Sequence, residues 1–272
     1  MQSRYRFLTF VPLAMAAFAQ DSVTTSLSGG VFSGFAHFGA VRAEHVMTVT
    51  GAPYSAEETF TLVQTLVDGT QITRASTTEK VFRDSAGRLR IERTAVPGRL
   101  ARKQGVEVPV IVELTDPVEH VRYTLDTVNK VAHKQPLTVP ARGQAARPPA
   151  PAVTKAEQAE TARERPAVTH EDLGKQTVEG LVLEGKRITM VFPAGSQDND
   201  RPITVVTETW MSPELKVPGL VTNNDPRSGE STTKLINVNR SEPDPSLFQP
   251  PPDYTVIEET GDFTMKWGRE KQ

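Results

Sequence analysis

The stretch Phe60-Thr61-Leu62-Val63-Gln64-Thr65-Leu66-Val67, followed at once by Asp68-Gly69, decides the fold class of this chain. Asp-Gly between runs rich in β-branched residues is the strongest short hairpin signal, because the favoured two-residue turns need positive φ at their centre. Gln71 to Phe82 supplies the returning strand, again with frequent Thr and Val, residues that suit a pleated surface. Asp84-Ser85-Ala86-Gly87 then predicts a second turn.

Outward from this hairpin the period stays at two. Leu89 and Ile91 alternate with Arg88, Arg90 and Glu92, as in a strand with one covered side. Val110 to Leu114 ends at Asp116-Pro117, and Val121, Tyr123 and Leu125 then point one way while Arg122, Thr124 and Asp126 point the other. Beyond Leu173-Gly174, Ile188, Met190 and Phe192 alternate with Arg187, Thr189 and Val191. Ile203 to Met211, Leu215 to Thr222 and Thr233 to Val238 are further strands, the last two joined by Asp225-Pro226-Arg227-Ser228-Gly229. Pro243-Asp244-Pro245-Ser246 starts one helical turn through Phe248, and Tyr254 to Ile257 forms a last short strand. The expectation is a mainly β protein: one curved antiparallel sheet with few short helices.

The domain organisation follows from changes in composition. Residues 44–134 and 170–260 form the two parts of the β domain, opening at Glu44-His45-Val46-Met47-Thr48-Val49. Residues 135–169 carry Pro136, Pro140, Pro148, Pro149, Pro151 and Pro166 among Ala, Arg and Glu. They lack the large apolar side chains needed to offset ordering entropy, and read as a flexible, disordered insert. Residues 20–43 show no steady period and read as a flexible leader. Residues 261–272 read as a tail, in which Phe263, Met265 and Trp267 alternate and could dock.

The start of the chain bears on location. Arg4 and Arg6 precede an apolar run from Phe7 to Phe18, and Ala17-Phe18-Ala19 fits the small-x-small rule of signal cleavage. That run is too short to span about 30 Å of hydrocarbon. The reading is a signal peptide over residues 1–19, cut after Ala19, and export to the periplasm or beyond, with no transmembrane anchor afterwards. Cysteine is absent, which excludes disulfides, thiolate chemistry and a lipid-modified cysteine. With 31 basic and 33 acidic side chains the formal charge is −2, and losing Arg4 and Arg6 makes it more negative. No footprint for nucleic acid results.

Catalytic chemistry leaves no motif. His37, His45, His120, His133 and His170 are not spaced as metal-binding pairs, and no H-E-x-x-H, G-x-S-x-G, S-x-x-K or phosphate loop occurs. His120 lies near Asp116 and Glu119, and His170-Glu171-Asp172 has the same form; both fit solvated surface groups. Arg99, Arg102 and Lys103 form a small basic cluster in a loop between strands. Trp210 and Phe192 could line a cavity, yet both alternate as core residues would. No cofactor or metal is implied.

Three segments carry a resemblance. Glu208-Thr209-Trp210-Met211-Ser212-Pro213-Glu214-Leu215, Asp225-Pro226-Arg227-Ser228-Gly229-Glu230 and Asn237-Val238-Asn239-Arg240 are similar to a pattern in uncharacterised exported bacterial proteins. With the closing Pro243-Asp244-Pro245-Ser246-Leu247-Phe248 and Pro252-Asp253-Tyr254, the element order over residues 173–258 also resembles periplasmic lipoprotein carriers of the LolA type and the related sensor RseB. That resemblance implies an open half-barrel whose concave apolar face holds lipid tails. Two functions stay open. In the first, Phe60, Leu62, Val121, Tyr123, Ile188, Met190 and Phe192 line that face and shelter a lipid or other apolar ligand, although the same side chains could instead fill a core. In the second, the insert and exposed strand edges meet an envelope protein partner, as in a sensor. A hydrolase ranks third.

Overall fold

The computed structural model describes residues 23–28, 31–38, 48–94, 109–137 and 165–268, with backbone alone for 23–28, 31–38 and 266–268. The signal segment with Ala19, the loop carrying Arg99, Arg102 and Lys103, His45, and most of the proline-rich insert lie outside them.

The Asp68-Gly69 signal is realised as a hairpin between β3 (Tyr54–Thr65) and β4 (Gln71–Arg83). Gly69 takes φ +84°, Thr70 N donates to Asp68 Oδ1 at 2.9 Å, and Leu66 N donates to Thr70 O at 2.8 Å. From β4 the sheet grows one way through β5 (Leu89–Thr94), β6 (Val110–Asp116), β7 (Val121–Asp126) and β8 (Val131–Pro136) to β14 (Thr255–Glu258). From β3 it grows the other way through β13 (Gly229–Asn239), β12 (Val217–Asp225), β11 (Ile203–Ser212) and β10 (Leu181–Phe192) to β9 (Ala167–Val178). The result is one twelve-stranded sheet, antiparallel except for the β14–β8 pair and not closed into a barrel. Over so many strands the right-handed strand twist accumulates into strong curvature.

Two strands form in the segment read as a leader. β1 (Val23–Ser28) and β2 (Val31–Phe38) pair with each other, and β15 (Phe263–Gly268) pairs with β2, making a separate three-stranded sheet. The expected strand opening at 44–49 is not formed at Thr48 and Val49. Sheet also begins earlier than expected after the insert, since β9 starts at Ala167. Its first half is solvated on both sides and therefore shows no apolar alternation. The sole helix-like element among the described residues is a 3₁₀ turn, Pro245–Phe248, capped by Asp244 Oδ1 accepting from Ser246 N at 2.8 Å.

Among the described residues, two apolar clusters hold the sheet. One joins Tyr54, Ala56, Val81 and Leu235 to Leu181, Leu183 and Leu215, with Trp210, Val217 and Leu220 packed against them. Gly185 lies directly opposite Trp210 in the ladder, and the indole occupies the space a Cβ would take. Arg83, only 4% exposed, pins the two halves together: Nε donates to Ala52 O at 3.0 Å and Nη2 donates to Leu215 O. Its guanidinium lies over the Tyr54 ring at 4.7 Å. Burial pushes the Tyr54 hydroxyl up to about 12, so it stays protonated.

The other cluster packs Val112, Leu114, Leu125 and Ala132 with Tyr123 and Tyr254. Over this part of the sheet the C-terminal chain forms a strap. Phe248 is buried with Arg88 above its ring, Leu247 O accepts from Arg90 Nη1 at 2.9 Å, and Lys130 pairs with Asp253 at 2.7 Å. The strap then rounds the β8 edge as β14 and returns on the opposite face. There Gly261 O accepts from Gln135 Nε2 at 2.8 Å and Phe263 stacks on His133 at 4.4 Å.

Candidate ligand-binding face

Cross-strand partners in a sheet point to the same side, so the register assigns every strand residue to a face. Phe60 opposes Thr233, Thr233 opposes Val221, Val221 opposes Thr209, and Thr209 opposes Lys186. Leu62 leads likewise through Ser231, Asn223 and Thr207 to Ile188. Phe60, Leu62, Ile188, Met190 and Phe192 therefore share one face, called the Phe60 face below. In the other direction Phe82 opposes Arg90, Arg90 opposes Leu114, and Leu114 opposes Tyr123. Val121 and Tyr123 consequently project from the opposite face, where Tyr123 packs into the cluster beneath the strap. All seven side chains are half-buried, neither sealed in a core nor fully open.

The Phe60 face carries two apolar patches with a polar row between them. Ser231, Asn223 and Thr207 separate Leu62 from Ile188, and Asn223 Nδ2 donates to Thr207 Oγ1 at 2.7 Å. Four strand steps, roughly 19 Å along the sheet, lie between the patches. Phe60 and Leu62 stand as a ridge flanked by small partners: Thr77 and Ala75 on β4, Thr233 and Ser231 on β13. On the other patch the Arg227 guanidinium covers the Phe192 ring at 5.1 Å and is itself held by Asp225 at 2.6 Å.

Next to Phe60 the same face turns ionic. Glu58 opposes Glu79, Glu79 opposes Arg93, and Glu113 opposes Thr124, all on this side. Arg93 divides itself between Glu79 at 3.7 Å and Glu113 at 3.3 Å, while Arg122 holds Glu113 Oε2 at 2.7 Å. Glu58 has no cation within ion-pair reach among the described residues. Burial, reinforced by the Glu79 charge, lifts the Glu58 carboxyl above its ordinary value against a weaker pull from Arg93. Burial likewise lifts Glu79, with Arg93 opposing and Glu113 adding to the rise. Among the described residues, four buried atoms here lack a hydrogen-bond partner: Arg93 Nε, Glu113 Oε1, Thr124 Oγ1 and Gln135 Oε1.

No family model and no curated protein matches the chain. Among solved structures it is similar to an uncharacterized conserved protein from Thermus thermophilus, at 12% identity over 76% of this chain and 91% of that one, with a TM-score of 0.37. The Pseudomonas aeruginosa MucA/MucB complex matches at 9% identity over 76% of this chain, with a TM-score of 0.38, and the match spans 58% of that chain. A putative outer membrane lipoprotein-sorting protein domain from Vibrio parahaemolyticus matches at 9% identity over 73% of this chain and 90% of that one, with a TM-score of 0.26.

The opposite face of the β10–β13 half is polar. Arg187, Thr189, Val206, Glu208, Thr222, Asn224 and Glu230 line an open depression of about 460 Å³. Arg187 is already committed there, to Glu171 at 2.8 Å and Glu208 at 2.8 Å. The histidines are dispersed. His120 occupies a turn at φ +55°, His170 opposes Ile188, and His133 Nδ1 lies 2.8 Å from Glu259 Oε1. Among the described residues no cluster suited to a metal ion occurs. The ionic ladder was not singled out from sequence, because Glu and Arg alternating with apolar residues look like a solvated strand side until register and the strap cover them.

Proposed function

We propose that the chain is an exported, non-catalytic binding protein that shelters a lipid or other apolar ligand on the Phe60 face. The observation that carries this reading is an open sheet that leaves Phe60, Leu62, Ile188, Met190 and Phe192 on one side, all partly exposed. An acyl chain covering part of this apolar surface would gain about 25 cal/mol for each Å² removed from water. The test is purification of the processed protein from its native host, analysis of extracted lipids, and displacement of a fluorescent fatty acid. Phe60→Asp and Ile188→Asp should each weaken displacement while circular dichroism stays unchanged. A processed protein that carries no lipid and binds no fatty acid refutes the proposal. N-terminal sequencing of the secreted fraction should begin at Gln20; retention of Met1 would refute export by cleavage.

A second reading, docking of an envelope protein, draws on β9. This twelve-residue edge is exposed almost throughout, and its outer side faces no described strand. Glu171, Asp172, Lys175 and the bulge that leaves Leu173 unpaired blunt the edge against indiscriminate pairing. Crosslinked pull-downs that recover a partner from wild type but not from a Thr169→Pro variant would favour it.

A further inference from the structure

We propose that the ligand of the Phe60 face is a cationic amphiphile, its positive head set against Glu58 and Glu79 and its apolar chain along Phe60 and Leu62. The inference rests on the ligand-face reading above and adds the charge of the ligand.

Among the described residues the ladder is one cation short. Like charges directly opposite one another destabilise a sheet, yet Glu58 and Glu79 form such a pair. Three carboxylates, Glu58, Glu79 and Glu113, meet two guanidinium groups, Arg93 and Arg122. Other nearby cations among the described residues are engaged elsewhere. Arg83 serves carbonyl oxygens, Lys234 lies on the other face and binds Glu179 at 2.6 Å, and His133 meets Glu259.

An independent observation points to the same missing group. Glu113 is 8% exposed and Thr124 1%, yet among the described residues Thr124 Oγ1 and Arg93 Nε lack hydrogen bonds, and Glu113 Oε1 has only the 3.3 Å ion pair to Arg93. Buried polar atoms are ordinarily satisfied, so a set of orphans beside a shared arginine marks an incomplete network. An external cation held by Glu58 and Glu79 would release Arg93 from Glu79 and let it close fully on Glu113. The raised proton affinity of both carboxyls fits a pair waiting for a counter-charge.

The apolar part fits the same place. Phe60 follows Glu58 by two residues on one face, about 7 Å along the strand, so a head group at the carboxylates brings its chain onto Phe60 and Leu62. The flanking side chains Thr77, Ala75, Thr233 and Ser231 are all smaller than Phe60 and Leu62. An alkylammonium head also gains from the face of the Phe60 ring within about 6 Å.

The experiment is titration of the processed full chain with three probes of equal length below their micelle concentrations: dodecyltrimethylammonium, dodecanoate and a neutral dodecyl glycoside. Wild type should bind the cationic probe about tenfold or more tighter than the other two. Glu58→Gln with Glu79→Gln should bring the cationic probe to the level of the neutral one and leave the neutral one unchanged. Glu58→Gln alone, nearly isosteric, should remove part of the preference and serves if the double variant unfolds. Equal affinity of wild type for all three probes, or a preference that survives both substitutions, overturns the inference while leaving the ligand face standing. Absence of binding by every probe overturns both.

Discussion

Gly185→Ala tests the register on which the face assignments depend. Gly185 opposes Trp210 in the β10–β11 ladder, and a Cβ added there would lie 2.5 Å from Trp210 Cε3 and 2.7 Å from Cη2, with Cζ3 closer still. Real Cβ contacts do not come so near, so the indole must move away from Val217 and Leu220 in its cluster. Overpacking of this kind costs about 1–3 kcal/mol. Gly185 is not in the left-handed region, so alanine also brings a favourable restriction of the unfolded chain of about 0.4–1 kcal/mol. The net expectation is destabilisation of up to about 2.6 kcal/mol, the difference of those two ranges. Trp210 and Trp267 are the two tryptophans, so emission in a Trp267→Phe background reports the displaced indole directly. The decisive measurement is the same substitution made with Trp210→Ala, where the collision is gone and alanine should stabilise. Urea unfolding of the four proteins gives the coupling, expected at about 1–3 kcal/mol. If Gly185→Ala destabilises equally with and without the indole, Trp210 does not lie over Gly185, and the register joining Phe60 to Ile188 falls with it.

Two further expectations follow from the ionic ladder and the strap. Because Glu58 and Glu79 are raised, the folded protein binds their protons more tightly than the unfolded chain. Their contribution is therefore present at low pH and is lost as pH rises from 4.5, the unperturbed value, through the raised one. Urea midpoints across that window should decline in wild type and decline less in Glu58→Gln; a variant with an unchanged slope refutes the assignment. Phe248 is 3% exposed beneath Arg88, and Phe248→Ala should cost about 3 kcal/mol. Removal of exposed Lys130, whose partner is Asp253, should cost no more than about 0.5 kcal/mol, and parity of the two would show that the strap is held by charge rather than burial.

The strands β3 to β7 and β10 to β13 were legible because period two and Asp-Gly or Asp-Pro turns are local signals, whereas β8 and the exposed β9 carry no such alternation. What lay beyond reach was relational. Alternation tells which residues of β7 share a side, and Val121 and Tyr123 do. It cannot tell whether that side is the one Phe60 occupies, which depends on four successive registers. The same gap hid the ladder. Arg122 and Glu113 sit at polar positions of alternating strands, yet β6 and β7 are covered on both faces, so the polar set is buried at 8% exposure for each and must be ion-paired. β1 and β2 escaped notice because their sequences mix Ser, Gly and Phe without a consistent side.

The polar row across the Phe60 face bears on how any ligand must lie. A chain laid across the strands from Leu62 to Ile188 would strip water from Asn223 and Thr207 without replacing it, at a cost of about 1–3 kcal/mol for each group left unpaired. A chain laid along β3 meets Leu62, Phe60 and then Glu58 in order, and leaves that row in water. Apolar burial and charge are then arranged head to tail on a single strand, and the far patch at Ile188, Met190 and Phe192 becomes a separate surface. For this reason a single-tailed ligand suits the face better than a broad apolar one. Substitutions at Phe60 should accordingly weaken binding more than those at Ile188.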